Sequence, residues 1–316
     1  MIHNPPPAIK LMFRFFYAVI LFFVVVLRCN AQENLIRFHR SEPIMGTTFN
    51  LTFYATSQEH ATLAGNLAIK RIKELNDVFS DYQPDSEVSK LSKSTGKRTT
   101  VSNDLWYLIK LSKKISRQSN GAFDITIGPL TKLWRRAIRQ QQFPDSQKIT
   151  EARILVNYRW IKLYHSKQQV KLKKREMKLD FGAIAKGYAI DQAYEVLKNQ
   201  GITRALVDGG GDLFVGDAPP GSLNWDIKDH QDKTLLISAQ TGVASSGDSY
   251  KNLQWNGVRY SHIVDPHSGV GLQNTNVITV IAPNATIADA LSSTLSVLVG
   301  KRSHKLLKKY KAKIVQ

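Results

Sequence analysis

Apolar and polar positions alternate over residues 47–54, TTFNLTFY, and the β-branched residues among them predict a strand. Leu63, Leu67, Ile72, Leu75 and Phe79 then recur at helical intervals behind a Thr56–Glu59 capping-box spacing, so an amphipathic helix is expected to about residue 79. Residues 80–95 are polar and turn-rich. Ser102-Asn103-Asp104 caps a second helix whose apolar face is Leu105, Leu108, Ile109 and Ile115. Residues 121–129 read as a loop or short strand, and residues 153–178 alternate weakly among many lysines, as short strands on a solvated surface do. A third helix is expected over 184–199, closed by Gly201. A strand over 204–207, a turn at 208–212 and a strand over 213–215 follow, then short strands up to Tyr260. A buried strand over 276–282 and a helix over 287–299, stopped by Gly300, precede a short basic helix. There is no repeat and no regular βαβ rhythm. The expected class is therefore α+β, with a mixed, largely antiparallel sheet and packed helices.

The N-terminus departs from this amphipathic pattern. Residues 15–27 are thirteen consecutive apolar residues, preceded by Lys10 and Arg14 and followed by Arg28. A bilayer-spanning helix takes about 20 apolar residues. A basic start, a short apolar run and the small-residue exit Cys29-Asn30-Ala31 read as a secretory signal over 1–31, with one domain over 32–316. An uncleaved anchor is an alternative. Lipidation at Cys29 ranks low because Arg28 stands where such signals take a small residue.

That reading changes what the charge means. The chain has 316 residues and a formal net charge of +19, the usual footprint of a nucleic-acid partner. Without residues 1–31 it has 285 residues, a net +16 and no cysteine, and it is expected to be exported to a periplasm, where genomic nucleic acid is absent. Much of the excess lies in residues 167–178 and 301–313, as expected for solvated faces or an inner-membrane-facing surface.

The common phosphate and hydrolase motifs fail. Glycines at 182 and 187 and at 242 and 247 have P-loop spacing, but Tyr188 and Asp248 stand where the lysine belongs. There is no G-x-S-x-G elbow and no H-E-x-x-H. What remains is four polar segments. Asp289 and Ser293, four apart on a helix, share a face and make a hard-oxygen pair suited to Mg²⁺, although an acid there also simply complements the helix dipole. His262 with Asp265 reads as an acid–base pair or as a strand-end histidine beside a turn. Lys186 reads as a phosphate ligand or a solvated cation.

In order along the chain, these segments form a larger set. It runs through Met45-Gly46-Thr47, Ser80-x-Tyr82, Gly121-Ala122-Phe123-Asp124, Trp134, residues 180–191, Gly210-Gly211-Asp212, Ser246-Gly247-Asp248, His262-x-x-Asp265-Pro266 and Ala288-Asp289-Ala290-Leu291. It resembles the ApbE family of FAD:protein FMN transferases from about Glu42 to Gly300. The resemblance implies that family's fold and its reaction. FAD is cleaved with Mg²⁺, FMN passes to a Thr or Ser of a flavoprotein subunit of an extracytoplasmic redox complex, and AMP leaves.

By position, the resemblance places flavin contacts at Met45, Tyr82, Ala122, Phe123, Asp124, Asp180, Lys186 and Val264. Metal ligands fall at the Ala183 carbonyl, Asp289 and Ser293, and His262 is the candidate base. Three departures stand out. The family has Thr where this chain has Ser293. It has Trp, Gly and an aromatic where this chain has Trp134-Arg135-Arg136. Its terminal strand pair has no evident counterpart here. The rival expectations are an FAD-binding or FAD-hydrolysing protein without an acceptor, and a polyanion-binding module.

Overall fold

A computed structural model describes residues 34–228, 233–247, 252–273 and 276–315. Residues 1–31, on which the signal and Cys29 readings fall, and Asp248 lie outside the described residues. The first elements among the described residues are a hairpin, β1 (Ile36–Ile44) and β2 (Thr47–Ala55), turning through Met45 and Gly46, both at positive φ. Two consecutive left-handed residues match the twist of a tight hairpin. Helix α1 (Gln58–Phe79) follows. Its cap is Ser57, whose Oγ accepts from His60 N at 3.2 Å, so the cap falls one residue after the expected Thr56.

Seven strands form the main sheet in the order β1-β2-β6-β7-β10-β13-β14. The later strands are β6 (Ala205–Gly209), β7 (Leu213–Val215), β10 (Thr241–Ser246), β13 (Ile278–Ala282) and β14 (Lys313–Val315). From β2 to β14 every pairing is antiparallel, with Leu51 opposite Val207 and Val243 opposite Ile281. The largely antiparallel class is therefore as expected. The terminal strand β14 is a correction, because it pairs along β13 as the last strand of the sheet, where the sequence showed no evident counterpart of the family's terminal strands.

Alternation gives the sheet two buried faces. On one, Phe49, Leu51, Phe53 and Phe214 meet Ala64, Ala68 and Ile72 of α1 and Ile190, Ala193 and Leu197 of α6 (Ala185–Asn199). On the other, Leu213, Val215 and Val243 pack with Trp225 and Ile237 of the hairpin β8 (Trp225–Lys228) and β9 (Thr234–Ile237). Helix α7 (Ala285–Val297) lies against α6, β10 and β13.

Helix α2 (Glu87–Lys93) falls in the stretch read as turn-rich, α4 (Gly128–Gln140) starts at the end of the stretch read as a loop or short strand, and α5 (Ser146–Arg153) lies in a stretch for which no element was expected. Pro129 occupies the first turn of α4, where a missing N–H costs nothing. The signal that identifies α4 is Leu130, Trp134 and Ala137, buried at helical spacing. The other elements are α3 (Asn103–Gln118), α8 (Lys301–Lys309), a small sheet of β3 (Thr99–Thr100), β5 (Gln169–Leu172) and β4 (Ile161–Tyr164), and a hairpin of β11 (Asn252–Trp255) and β12 (Val258–Ser261).

Candidate functional site

The chemistry gathers at the start of α6. Lys186, in its first turn, forms an ion pair with Asp212 and a second with Asp289 Oδ1 at 3.6 Å. Asp212 ends the tight turn between β6 and β7, and its Oδ1 accepts from Ser245 N of β10 at 3.2 Å. Asp289 lies on α7, and its Oδ2 accepts from Gly187 N at 3.0 Å. Both carboxylates are buried. Burial raises the Asp289 carboxyl to about 7, with Lys186 pulling it down and Asp212 adding to the rise. Burial works against the Lys186 ammonium, but Asp212 and Asp289 outweigh it and hold the group above the usual lysine range. Lys186 is thus held between two carboxylates and is not simply a solvated cation.

Close backbone approach makes this corner. A Cβ at Gly187 would lie 2.3 Å from the Ala285 carbonyl oxygen. Gly210, at positive φ, sits against the Thr47 hydroxyl, which brings the Met45–Gly46 turn beside the Asp212 turn. Asp191 anchors α7 from α6: its Oδ1 accepts from Ala285 N at 2.8 Å and its Oδ2 from Thr286 N at 2.9 Å. Burial pushes the Asp191 carboxyl up to about 6, against these hydrogen bonds. A carboxyl with a raised folded pKa stabilises the fold below its unfolded value and loses that contribution as pH rises through the folded value. Between about pH 4 and pH 7 the wild type should therefore lose up to about 3 kcal/mol relative to Asp191→Asn. Urea melts across that range would show it, and a flat or opposite slope would contradict the assignment.

The oxygen set around this corner is hard and incomplete. Ser292, Thr294 and Ser296 return their hydroxyls to α7 carbonyls, whereas Ser293, half-buried and one turn beyond Asp289, has no such bond among the described residues. Ala183 precedes α6, and its carbonyl accepts no backbone hydrogen bond among the described residues. Ionised, the two carboxylates exceed the single ammonium by one charge. No group of three or more His, Cys, Asp or Glu among the described residues is arranged to hold a metal. Such a donor set suits a hard divalent cation whose shell is completed by water and substrate oxygens.

A second cluster adjoins the first through residues 180–183. Asp180 Oδ1 accepts from Gly182 N, and its Oδ2 accepts from Thr131 Oγ1 and Arg135 Nη2, each at 2.7 Å. Arg135 also pairs with Asp81, beside the exposed Tyr82. Asp180 N donates to Ile125 O at 2.8 Å, which sets residues 178–180 alongside the loop carrying Ala122, Phe123 and Asp124. Asp124 is committed to the fold. Its Oδ1 accepts from Thr126 N and Oγ1, and its Oδ2 from Tyr158 N at 2.8 Å.

The segment after β12 is tied to α4, where Trp134 Nε1 donates to Gly269 O at 2.9 Å. Val264 is buried against Leu130 and Trp134, and His262 is exposed. Asp265 does not follow the acid–base reading: its carboxylate accepts from His267 N and Ser268 N of its own turn, at 2.9 and 3.3 Å. Arg135, Asp81, Asp191 and Asp212 were not among the expected site residues. Asp191 and Asp212 lay within the motifs at 180–191 and 210–212, Arg135 stood out as a departure after Trp134, and Asp81 filled the unspecified position of Ser80-x-Tyr82.

Comparison with known proteins places the whole chain. The model of the ApbE family matches residues 45–315. The chain belongs to the ApbE family. Among ApbE relatives, the FAD:protein FMN transferase of Klebsiella pneumoniae is 30% identical over 265 residues, covering 81% of this chain and 80% of the relative. That of Vibrio cholerae is 28% identical over 276 residues, covering 84% and 82%. The ApbE protein of Thermotoga maritima superposes with a TM-score of 0.78 at 27% identity, over 89% of this chain and 94% of the other. The Pseudomonas stutzeri flavinyl transferase ApbE gives 0.77 at 27% identity, over 89% and 91%. The expected ApbE fold is the observed one.

Proposed function

We propose that this chain is a flavinyltransferase that cleaves FAD between its phosphates, joins FMN through its phosphate to a Thr or Ser hydroxyl of an acceptor flavoprotein and releases AMP. The observation that carries this reading is the buried Lys186–Asp212–Asp289 cluster, set in a fold whose relatives are named FAD:protein FMN transferases. The acceptor hydroxyl oxygen attacks the FMN phosphorus, the anhydride P–O bond breaks, and AMP leaves with the electron pair. The hydroxyl proton passes to a base. His262, exposed at the end of β12, is our candidate because imidazole titrates near neutrality.

Asp289, Ser293 and the Ala183 carbonyl fit Mg²⁺, which when bound would neutralise charge on the transferring phosphoryl group. Lys186 holds Asp289 and Asp212 in place and supplies a second positive charge at the same corner. The exposed Tyr82 ring and the buried Ala122–Phe123 loop lie along the Asp180 side, where the flat ring of the flavin would lie. The apolar run at 15–27 supports export, with the acceptor in an extracytoplasmic redox complex and an association with the inner membrane.

AMP release from FAD tests the reaction. With Mg²⁺, release should rise severalfold on adding a Thr-bearing acceptor subunit and should stop in excess chelator. Equal release with and without any acceptor would favour plain FAD hydrolysis.

A further inference from the structure

Arg135 stands where three segments meet. From the second turn of α4, its Nη1 donates to Asp81 and its Nη2 donates to Asp180 Oδ2 at 2.7 Å. Asp81 belongs to the segment between α1 and α2, and Asp180 to the turn leading into α6. Next to Asp81, the Tyr82 ring centroid lies 4.5 Å from the Arg135 guanidinium carbon. Tyr82 is nevertheless 75% exposed. One face of the ring therefore rests on a fixed cation and the other is open to solvent.

A single exposed aromatic is ordinary. Here, though, the ring rests on a guanidinium held on both sides by carboxylates, one of them buried. A planar guanidinium stacks on an aromatic face as a lysine ammonium does not. Arg135 is also poorly placed to receive a phosphate. Both terminal nitrogens are bonded to carboxylates, and the two acids exceed it by one negative charge.

We propose that Arg135 is a positioning residue that holds the Tyr82 ring as a stacking platform for the flat aromatic part of a flavin. The proposal rests on the flavin-transfer reading above and names how that ligand is received. With the ring already ordered, the ligand need not order it on arrival, which raises affinity without a direct contact from Arg135. Asp180 links the same clamp, through Gly182, to the turn carrying Ala183.

A double-mutant cycle tests this, read by titrating riboflavin and FMN into the purified full domain. Arg135→Ala should weaken both ligands alike, by about tenfold, the scale of a lost cation–π contact plus an unfixed ring. In a Tyr82→Ala background the same change should cost less than about twofold, because the platform is already gone. Arg135→Lys keeps a cation between Asp81 and Asp180 but removes the planar face. It should still weaken riboflavin by about threefold or more, and it carries the test if the alanine variant does not fold.

Three results would overturn the proposal: losses that add in the double variant, a loss confined to FMN, or Arg135→Lys and Arg135→Ala binding riboflavin as the wild type does. The second would make Arg135 a phosphate contact. A wild-type protein that binds neither ligand would overturn the flavin reading together with the platform.

Discussion

Asp289→Asn should cut flavin transfer by roughly two to three orders of magnitude, the scale of losing one charged group from a preorganised site, without loss of fold stability. The two effects have different origins. The carboxylate is buried, accepts from Gly187 N and faces Lys186. Burial has already raised it to about 7, so the folded state at neutral pH gains little from its ionised form. Asparagine keeps an oxygen for Gly187 N and removes the charge. Lys186 keeps Asp212 as its counter-ion. The melting temperature should therefore stay level or rise while transfer collapses. A variant that melts early, or one that transfers FMN at the wild-type rate, would contradict the account of this residue.

Gly187→Ala should give the opposite pattern, with fold and activity lost together. A Cβ there would sit 2.3 Å from the Ala285 oxygen, 2.6 Å from its carbonyl carbon and 2.9 Å from Asp289 Cβ. Two of these neighbours are backbone atoms of α7, so no side chain can turn away to make room. Relief requires α6 and α7 to separate, which breaks the Gly187–Asp289 hydrogen bond and loosens their packing. Overpacking of this kind costs about 3 kcal/mol. For a domain of this size that lowers the melting temperature by about 5 °C. A thermal melt within two degrees or so of wild type would mean that the helices do not meet here as described.

These two residues also mark how far the sequence could be read. Asp289 and Lys186 were each visible in a polar motif at a helix start, and the i, i+4 relation to Ser293 follows from helical geometry alone. Their meeting was not visible, because the Gly187–Asp289 bond spans 102 positions. Strands with clear alternation, such as residues 47–54, and helices with clear apolar spacing, such as α1 and α6, were legible because one face of each is buried. Helix α4 was hidden by Pro129 and by Arg135 and Arg136, residues that also suit loops. Its role depends on partners that sequence spacing cannot bring together, since Arg135 reaches Asp81 across 54 positions and Asp180 across 45. Asp265 shows the reverse case. Its neighbour Pro266 already allowed a turn, and the carboxylate serves that turn.

The charge excess fits the same picture. Seven basic side chains lie in residues 301–313, on and beyond α8, while the candidate site relies on Lys186 and Arg135, both bound to acids. Net charge was thus a poor guide to the chemistry, which depends on where a few charges are buried.

The central claim is covalent transfer, and flavin fluorescence on a denaturing gel reads it directly. A Thr-bearing acceptor subunit is incubated with the protein, FAD and Mg²⁺, then stripped of bound flavin and separated. A fluorescent acceptor band is expected, and it should disappear with chelator, with Asp289→Asn, or when the acceptor threonine is replaced by alanine. An acceptor band that stays dark while FAD is consumed, or one that glows equally with the acceptor threonine removed, would contradict the claim.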